Sequence, residues 1–205
     1  FKKFEIVITD DGSTDKTTVI LNKLKKKNKE IKIFRFKKNL GASLAFNNSI
    51  KKCKHKFILV NDSDNQFPIH NFPTLWRQLL KQKSDIVIGS RNRLKEFTFL
   101  SLGSYLSSKI MNKIYGSNIE DFNCALKLVK SSVLKKINLK SVGLNYSVEM
   151  TAKLIETGSK LSSVKIFHNK NLKKKSVKQI LRDSINRILF VNYLFFRRIL
   201  IKFNV

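Results

Sequence analysis

Apolar residues fall into short runs separated by polar, turn-forming stretches, and strand-like and helix-like runs alternate over the first 90 positions. FEIVITD (4–10) is rich in β-branched residues and ends in acid, the pattern of a buried strand. DGSTD follows, with a glycine turn and Ser, Thr and Asp as helix-capping candidates. The spacing then predicts a helix over 15–28 with Val19, Ile20 and Leu24 inward. IKIFRF (31–36) alternates as a second strand. NLGASLAFNNSIKKC (39–53) reads as a loop and a helix, with Leu44, Ala45, Ile50 and Cys53 on the apolar side. KFILV (56–60) and DIVIGS (85–90) predict two more strands. Between them lie a turn bracketed by Pro68 and Pro73 and a helix running to about Lys83. A long helix over 98–115 carries Leu102, Leu106, Ile110 and Ile114 at helical spacing. A helix over 148–158 ends at Gly158, a strand covers 160–167, and a last helix begins at Ser176.

This alternation predicts an α/β fold, a mostly parallel sheet flanked by helices. In such sheets ligands bind outside the carboxyl ends of the strands. Asp10 and Asp11 end the first strand, Asp62 and Asp64 follow the third, and Ser90 and Arg91 end the fourth. Asp62 and Asp64 stand one residue apart and repel each other. A divalent cation relieves that repulsion, and hard oxygen ligands suit Mg²⁺ or Mn²⁺. A cation so held can bridge a diphosphate and neutralise a leaving group.

Charge adds a direction. With 42 Lys+Arg against 14 Asp+Glu, the net charge is +28, which points to an anionic partner: nucleic acid, a membrane surface or a phosphorylated substrate. The lysines are spread along the chain as a solvated surface would be, with one dense cluster at 170–178. No nucleic-acid motif occurs and the aromatics do not interleave with that cluster, so a nucleic-acid-binding module is the distant alternative. Cys53 and Cys124 form no metal or disulfide spacing, which fits a reducing compartment. His55, His70 and His168 are scattered and read as surface or packing residues. No signal peptide is visible and no apolar run reaches the ~18 residues of a spanning helix. Residues 176–203 combine apolar and basic positions, suiting a helix on an anionic bilayer or one packed on the domain.

EIVITDDGSTDKT (5–17), NLGASLAFNNSI (39–50), NDSDNQFP (61–68), DIVIGSRN (85–92) and DFNCALKL (121–128) occur in that order. Together they resemble the family-two inverting glycosyltransferases, with a nucleotide-diphospho-sugar transferase (GT-A, Rossmann-like) fold. Asp-x-Asp-x-Gln before Pro, then Gly-Ser-Arg, is similar to the polyprenyl-phosphate glycosyltransferases, such as the dolichyl-phosphate mannosyltransferases. The resemblance implies that Asp10, Asp11, Asn39, Gly41 and Ser101 bind the nucleotide sugar or its phosphates. It implies that Asp62, Asp64 and Gln66 hold Mg²⁺ or Mn²⁺ with the diphosphate. Arg91 is implied near phosphate, and Asp121 and Glu149 near sugar or acceptor. Asp62, Asp64, Arg91 and Asp121 form the expected catalytic set.

The implied reaction moves a hexosyl group from a nucleotide sugar, of GDP-mannose or UDP-glucose type, to a polyprenyl phosphate, with inversion and metal dependence. The alternative acceptor is a surface polysaccharide or other glycan. The implied location is cytoplasmic, peripheral on the inner face of the membrane. Residues 1–170 are expected to form the transferase domain and 171–205 a basic amphipathic segment. The family's opening strand, with its Pro and Asn-Glu signature, is not found before Phe1, so an N-terminal truncation is expected. Two further departures stand out: Ala125-Leu126-Lys127 replaces the usual Gly-Phe-Arg, and KNLKKKS (170–176) replaces Arg-x-x-Gly-x-Ser.

Overall fold

The structure, a computed structural model, describes residues 3–91, 99–169 and 176–202. Six strands and seven α-helices follow in the order β1 (Ile6–Asp10), α1 (Thr17–Lys27), β2 (Ile31–Arg35), α2 (Ala42–Lys52), β3 (Phe57–Val60), α3 (Phe72–Gln82), β4 (Ile86–Arg91), α4 (Phe99–Tyr115), β5 (Lys127–Lys130), α5 (Ser131–Leu134), α6 (Tyr146–Glu156), β6 (Leu161–Ile166) and α7 (Val177–Lys202). Strands β1 and β2 pair in parallel, with Asp10 opposite Arg35. The second sheet has the order β3-β5-β4-β6. There β4 and β6 run parallel, and β5 runs antiparallel to β4 with Lys127 opposite Ile88. The fold is thus α/β and mostly parallel, as the alternation predicts. Strand β5 was not among the predicted strands.

The chain divides into two compact units. The first, residues 1–58 and 130–146, holds the β1–β2 sheet with α1, α2 and α5. The second, residues 59–129 and 147–205, holds β4, β6, α3, α4, α6 and α7. Its core is built on Ile86, Val87 and Ile88 of β4, Leu128 and Val129 of β5, Leu75 and Leu79 of α3, and Val148, Met150 and Leu154 of α6, all buried.

Three helix faces differ from the predicted ones, each for a traceable reason. In α1, Val19, Ile20 and Leu24 are exposed. The Thr18 hydroxyl donates to Asp10 at 2.9 Å, which turns Thr17, Thr18 and Leu21 inward. In α2, Leu44 is exposed while Ser43, Asn47 and Ile50 are buried. The Ser43 hydroxyl donates to the Ser141 carbonyl, and Asn47 exchanges hydrogen bonds with both backbone groups of Leu139. In α4, Leu106 and Ile110 are exposed and the buried stripe is Ser107, Ser108, Met111 and Tyr115. The Ser108 hydroxyl accepts from the Phe122 N–H, and Tyr115 packs its ring on Phe122. In all three, polar side chains with specific partners set the rotation of the helix.

Helix α7 is the longest at 26 residues. Ile188, Leu189 and Phe196 on it are about 60% exposed (61%, 62% and 63%), while Leu194 is buried. Arg197 forms an ion pair with Glu156, and the Arg198 guanidinium lies over the Tyr115 ring. No helix among the described residues is long and apolar enough to cross a membrane.

Candidate active site

In the first unit, strand β1 ends in two acids with different surroundings. Asp10 is buried and accepts from the Ser13 N–H and the Thr18 hydroxyl, each at 2.9 Å, with Arg35 at 3.4 Å. Burial alone would raise its pKa. The Ser13 and Thr18 hydrogen bonds and the Arg35 charge outweigh that and hold the carboxyl below its ordinary value. Asp10 therefore shapes the turn into α1. Asp11 instead accepts from the N–H groups of Leu40 (2.7 Å) and Gly41 (2.9 Å). Gly12 has φ 73°, and a Cβ there would lie 2.5 Å from the Lys38 carbonyl carbon. The acidic turn and the loop before α2 are thus closed on each other, which joins Asp11 to the motif that carries Asn39 and Gly41. Asn39 is exposed beside them.

In the second unit, strand β3 opens into the Asp62–Asp64 loop. The Asn61 amide donates to the Phe67 carbonyl at 2.8 Å and closes the loop. Asp62 is half-buried and Asp64 exposed. Asp64 accepts from the Gln66 N–H at 3.0 Å, and Asn65 takes a left-handed φ of 58°. Behind the loop, Asn169 donates to the carbonyls of Asn65 and Gln66. Asn71 exchanges two hydrogen bonds with Phe167. These asparagines brace the loop, and sequence reasoning does not single them out.

Among the described residues no cluster of three or more His, Cys, Asp or Glu side chains could hold a metal on its own. The loop supplies two carboxylates, with the buried Asn61 Oδ1, which has no hydrogen-bond partner, one residue away. Two carboxylates suit a cation whose other ligands are phosphates and water, so the residues present fit Mg²⁺ or Mn²⁺ carried with a diphosphate.

Strand β4 ends in Ser90 and Arg91. The Ser90 hydroxyl bonds Glu120 at 2.8 Å. Arg91 grips Asp121 with two nitrogens, Nε at 2.6 Å and a terminal nitrogen at 3.1 Å. Asp121 is fully buried, so its charge depends on this fork. The geometry makes Asp121 the holder of Arg91. Gly89 suits the preceding position because a Cβ would meet Ile166 at 2.5 Å. Glu149 is buried in α6 and paired with Lys153 at 2.6 Å, not on the surface. Ser101 lies in the first turn of α4, its side chain outside the described residues, and 170–175 lie outside them altogether.

Lys127, the first residue of β5, is the functional candidate that sequence reasoning underused. It is fully buried. Its ammonium donates to the Cys124 carbonyl and to the Ser147 hydroxyl, the latter at 3.0 Å. Burial pushes its pKa down to about 8 against the attraction of Asp121 and Asp62, and Arg91 lowers it further. The available signal was a lysine inside CALKLV, an otherwise apolar run. Cys124 beside it is a free thiol that burial pushes up to about 12, so it is inert. His70 packs on Phe167, as a packing histidine does.

Comparison with known proteins is consistent with this arrangement. The sequence model described as "Glycosyl transferase family 2" matches residues 1–137. The dodecaprenyl-phosphate galacturonate synthase of Rhizobium johnstonii is 27% identical over 139 residues, which is 67% of this chain and 41% of that protein. The dolichyl-phosphate beta-glucosyltransferase of Dictyostelium discoideum is 26% identical over 149 residues, 65% of this chain and 45% of that one. The chain thus spans less than half the length of these two relatives. Among solved structures, the mannosyltransferase of Pyrobaculum calidifontis in complex with GDP-Man and Mn²⁺ superposes with a TM-score of 0.61 at 15% identity, covering 93% of this chain and 60% of that one. Its fold is that of the GT-A nucleotide-sugar transferases.

Proposed function

The chain belongs to glycosyl transferase family 2, and on that premise we propose that it transfers a hexosyl group from a nucleotide sugar to a polyprenyl phosphate, with inversion. The donor is of GDP-mannose or UDP-glucose type. The observation that carries this reading is the Arg91–Asp121 fork after β4, held in the same unit as the Asp62–Asp64 loop that follows β3. The polyprenyl-phosphate names of the two relatives support the acceptor class.

Asp62 and Asp64, with Gln66, would hold Mg²⁺ or Mn²⁺, which would supply neutralisation of the departing diphosphate. Arg91, fixed by Asp121, donates to phosphate oxygens. A phosphate oxygen of the acceptor forms a bond to the anomeric carbon as the bond from that carbon to the diphosphate breaks on the opposite face. The transition state carries oxocarbenium character, as in glycoside hydrolysis. The acceptor is already anionic, so no general base is required. Asp11 sets the loop of Asn39 and Gly41 for the nucleoside, while Asp10 supports the turn. Ser101 is assigned to phosphate from the motif alone.

The same reading places the protein on the cytoplasmic face of a membrane. The exposed apolar side of α7 rests on the bilayer, with Lys178 and Arg182 toward anionic headgroups.

Calorimetric titration with GDP and with UDP, each with and without Mn²⁺, tests the site. Asp64→Ala is expected to abolish the Mn²⁺-dependent part of binding with the circular dichroism spectrum unchanged. Metal-independent binding equal to wild type would remove the assignment. A product assay offering polyprenyl phosphate and oligosaccharide acceptors side by side decides the acceptor.

A further inference from the structure

Helix α7 touches the turn that holds Arg91. A terminal nitrogen of Arg187 donates to Asn123 Oδ1 at 3.3 Å. The amide is oriented from its other end. Asn123 Nδ2 donates to the Ser104 carbonyl at 3.1 Å, an acceptor that only the NH₂ group can serve, and to the Ser104 hydroxyl at 2.9 Å. The oxygen is therefore the atom turned toward α7.

From Asn123 the contact continues to the site. The Asn123 N–H donates to Asp121 Oδ1 at 3.2 Å. The same oxygen receives a terminal nitrogen of Arg91 at 3.1 Å, while Oδ2 takes Arg91 Nε at 2.6 Å. Asp121 is fully buried, so the direction of its carboxylate is set by these donors. Other elements fasten the same turn. The Phe122 N–H donates to the Ser108 hydroxyl of α4, and Ser147 and Thr151 of α6 donate to the carbonyls of Asn123, Cys124 and Phe122. Those hydroxyls are neutral. Arg187 brings a charged donor, whose hydrogen bond is the stronger kind. Its apolar neighbours on the helix, Ile185, Ile188 and Leu189, are exposed. This part of α7 is thus held by a polar contact more than by apolar burial.

We propose that Arg187 is a positioning residue for the transferase site. By holding Asn123 from α7, it keeps the Asp121 carboxylate turned to the Arg91 fork. Helix α7 then belongs to the phosphate-binding machinery as well as to the surface. This rests on the reading that Arg91 donates to the phosphates of the nucleotide sugar. Arg187 acts through Asn123 and Asp121.

The test is a double-mutant cycle on the full chain, read by calorimetric titration with GDP and with UDP in the presence of Mn²⁺. Arg187→Met keeps the aliphatic stem and removes the donors, and Arg187→Ala serves if the methionine variant fails to fold. Either is expected to weaken nucleotide binding by about threefold or more, a large part of the net worth of one hydrogen bond. In an Arg91→Ala background the same substitution should change binding by less than about twofold, because the group it positions is gone. An arginine that only anchors α7 predicts something different: a lower melting temperature, with nucleotide binding equal to wild type or with losses that add in full to that of Arg91→Ala. Either of those results overturns the proposal. Arg91→Ala alone is the control for the underlying reading. If it leaves nucleotide binding intact, or if the wild-type chain binds neither nucleotide, the phosphate assignment of Arg91 fails, whatever Arg187 does.

Discussion

Gly12 and Asp10 show how a single position can be required by geometry or by charge. Gly12 combines a φ of 73° with backbone atoms of Lys38 and Asn39 within 2.9 Å of where a Cβ would sit. Backbone cannot step aside as a side-chain tip can. Gly12→Ala should cost about 1–3 kcal/mol of stability and also loosen the Asp11 clasp on Leu40 and Gly41, read as a lower melting temperature with weaker nucleotide binding. Asp10 answers to pH. Its folded pKa lies below the unfolded value of about 3.9, so its stabilisation is complete above that value and is lost as pH falls through the folded one. The melting-temperature gap between wild type and Asp10→Asn should stay level from neutrality to about pH 5 and close below about pH 4. A gap that grows on acidification would contradict the assignment. The motif acids themselves were legible in sequence because they follow apolar strands. Their division of labour was not. Nothing in DDG says that the first aspartate turns inward to Thr18 while the second clasps a loop 30 residues away.

Elements were read well where local composition decides and poorly where distant partners decide. The β-branched runs gave β1, β2, β3, β4 and β6 to within a residue or two. Strand β5 escaped because a buried lysine breaks its apolar run, and its antiparallel sense departs from the parallel rule. Helix rotation failed in α1 and α4, and at Leu44 but not at Ile50 in α2, for one reason: hydroxyls and amides that look solvent-facing in sequence spend their hydrogen bonds inside. Ser43 finds its acceptor 98 residues away. In α7 the error would run the other way, since a large apolar face stays outside. Replacing Ile188, Leu189 and Phe196 together by Ser should change stability little, because all three are exposed. The same variant should lose flotation with anionic liposomes that carry the wild-type chain. Equal partitioning of the two would remove the membrane role of α7.

At the scale of the whole chain, a net charge of +28 is compatible with several anionic partners and discriminates among none of them. The five ordered motifs carried the functional reading, and the charge became informative only once placed. Arg91, Arg197 and Lys153 are committed to carboxylates inside the second unit, while Lys178 and Arg182 stand exposed on α7. The first unit has a different consequence. It is assembled from residues 1–58 and 130–146, so its last strip of chain is synthesised more than 70 residues after its first. Until that strip emerges from the ribosome, the inward face of α2 has no acceptor for Ser43 and no backbone for Asn47. Loop closure over such a span is slow. The order of synthesis and the order of folding therefore differ here: the first unit is completed only after the stretch between its two segments has been made, and a nascent chain must carry the inward face of α2 unpartnered through that interval.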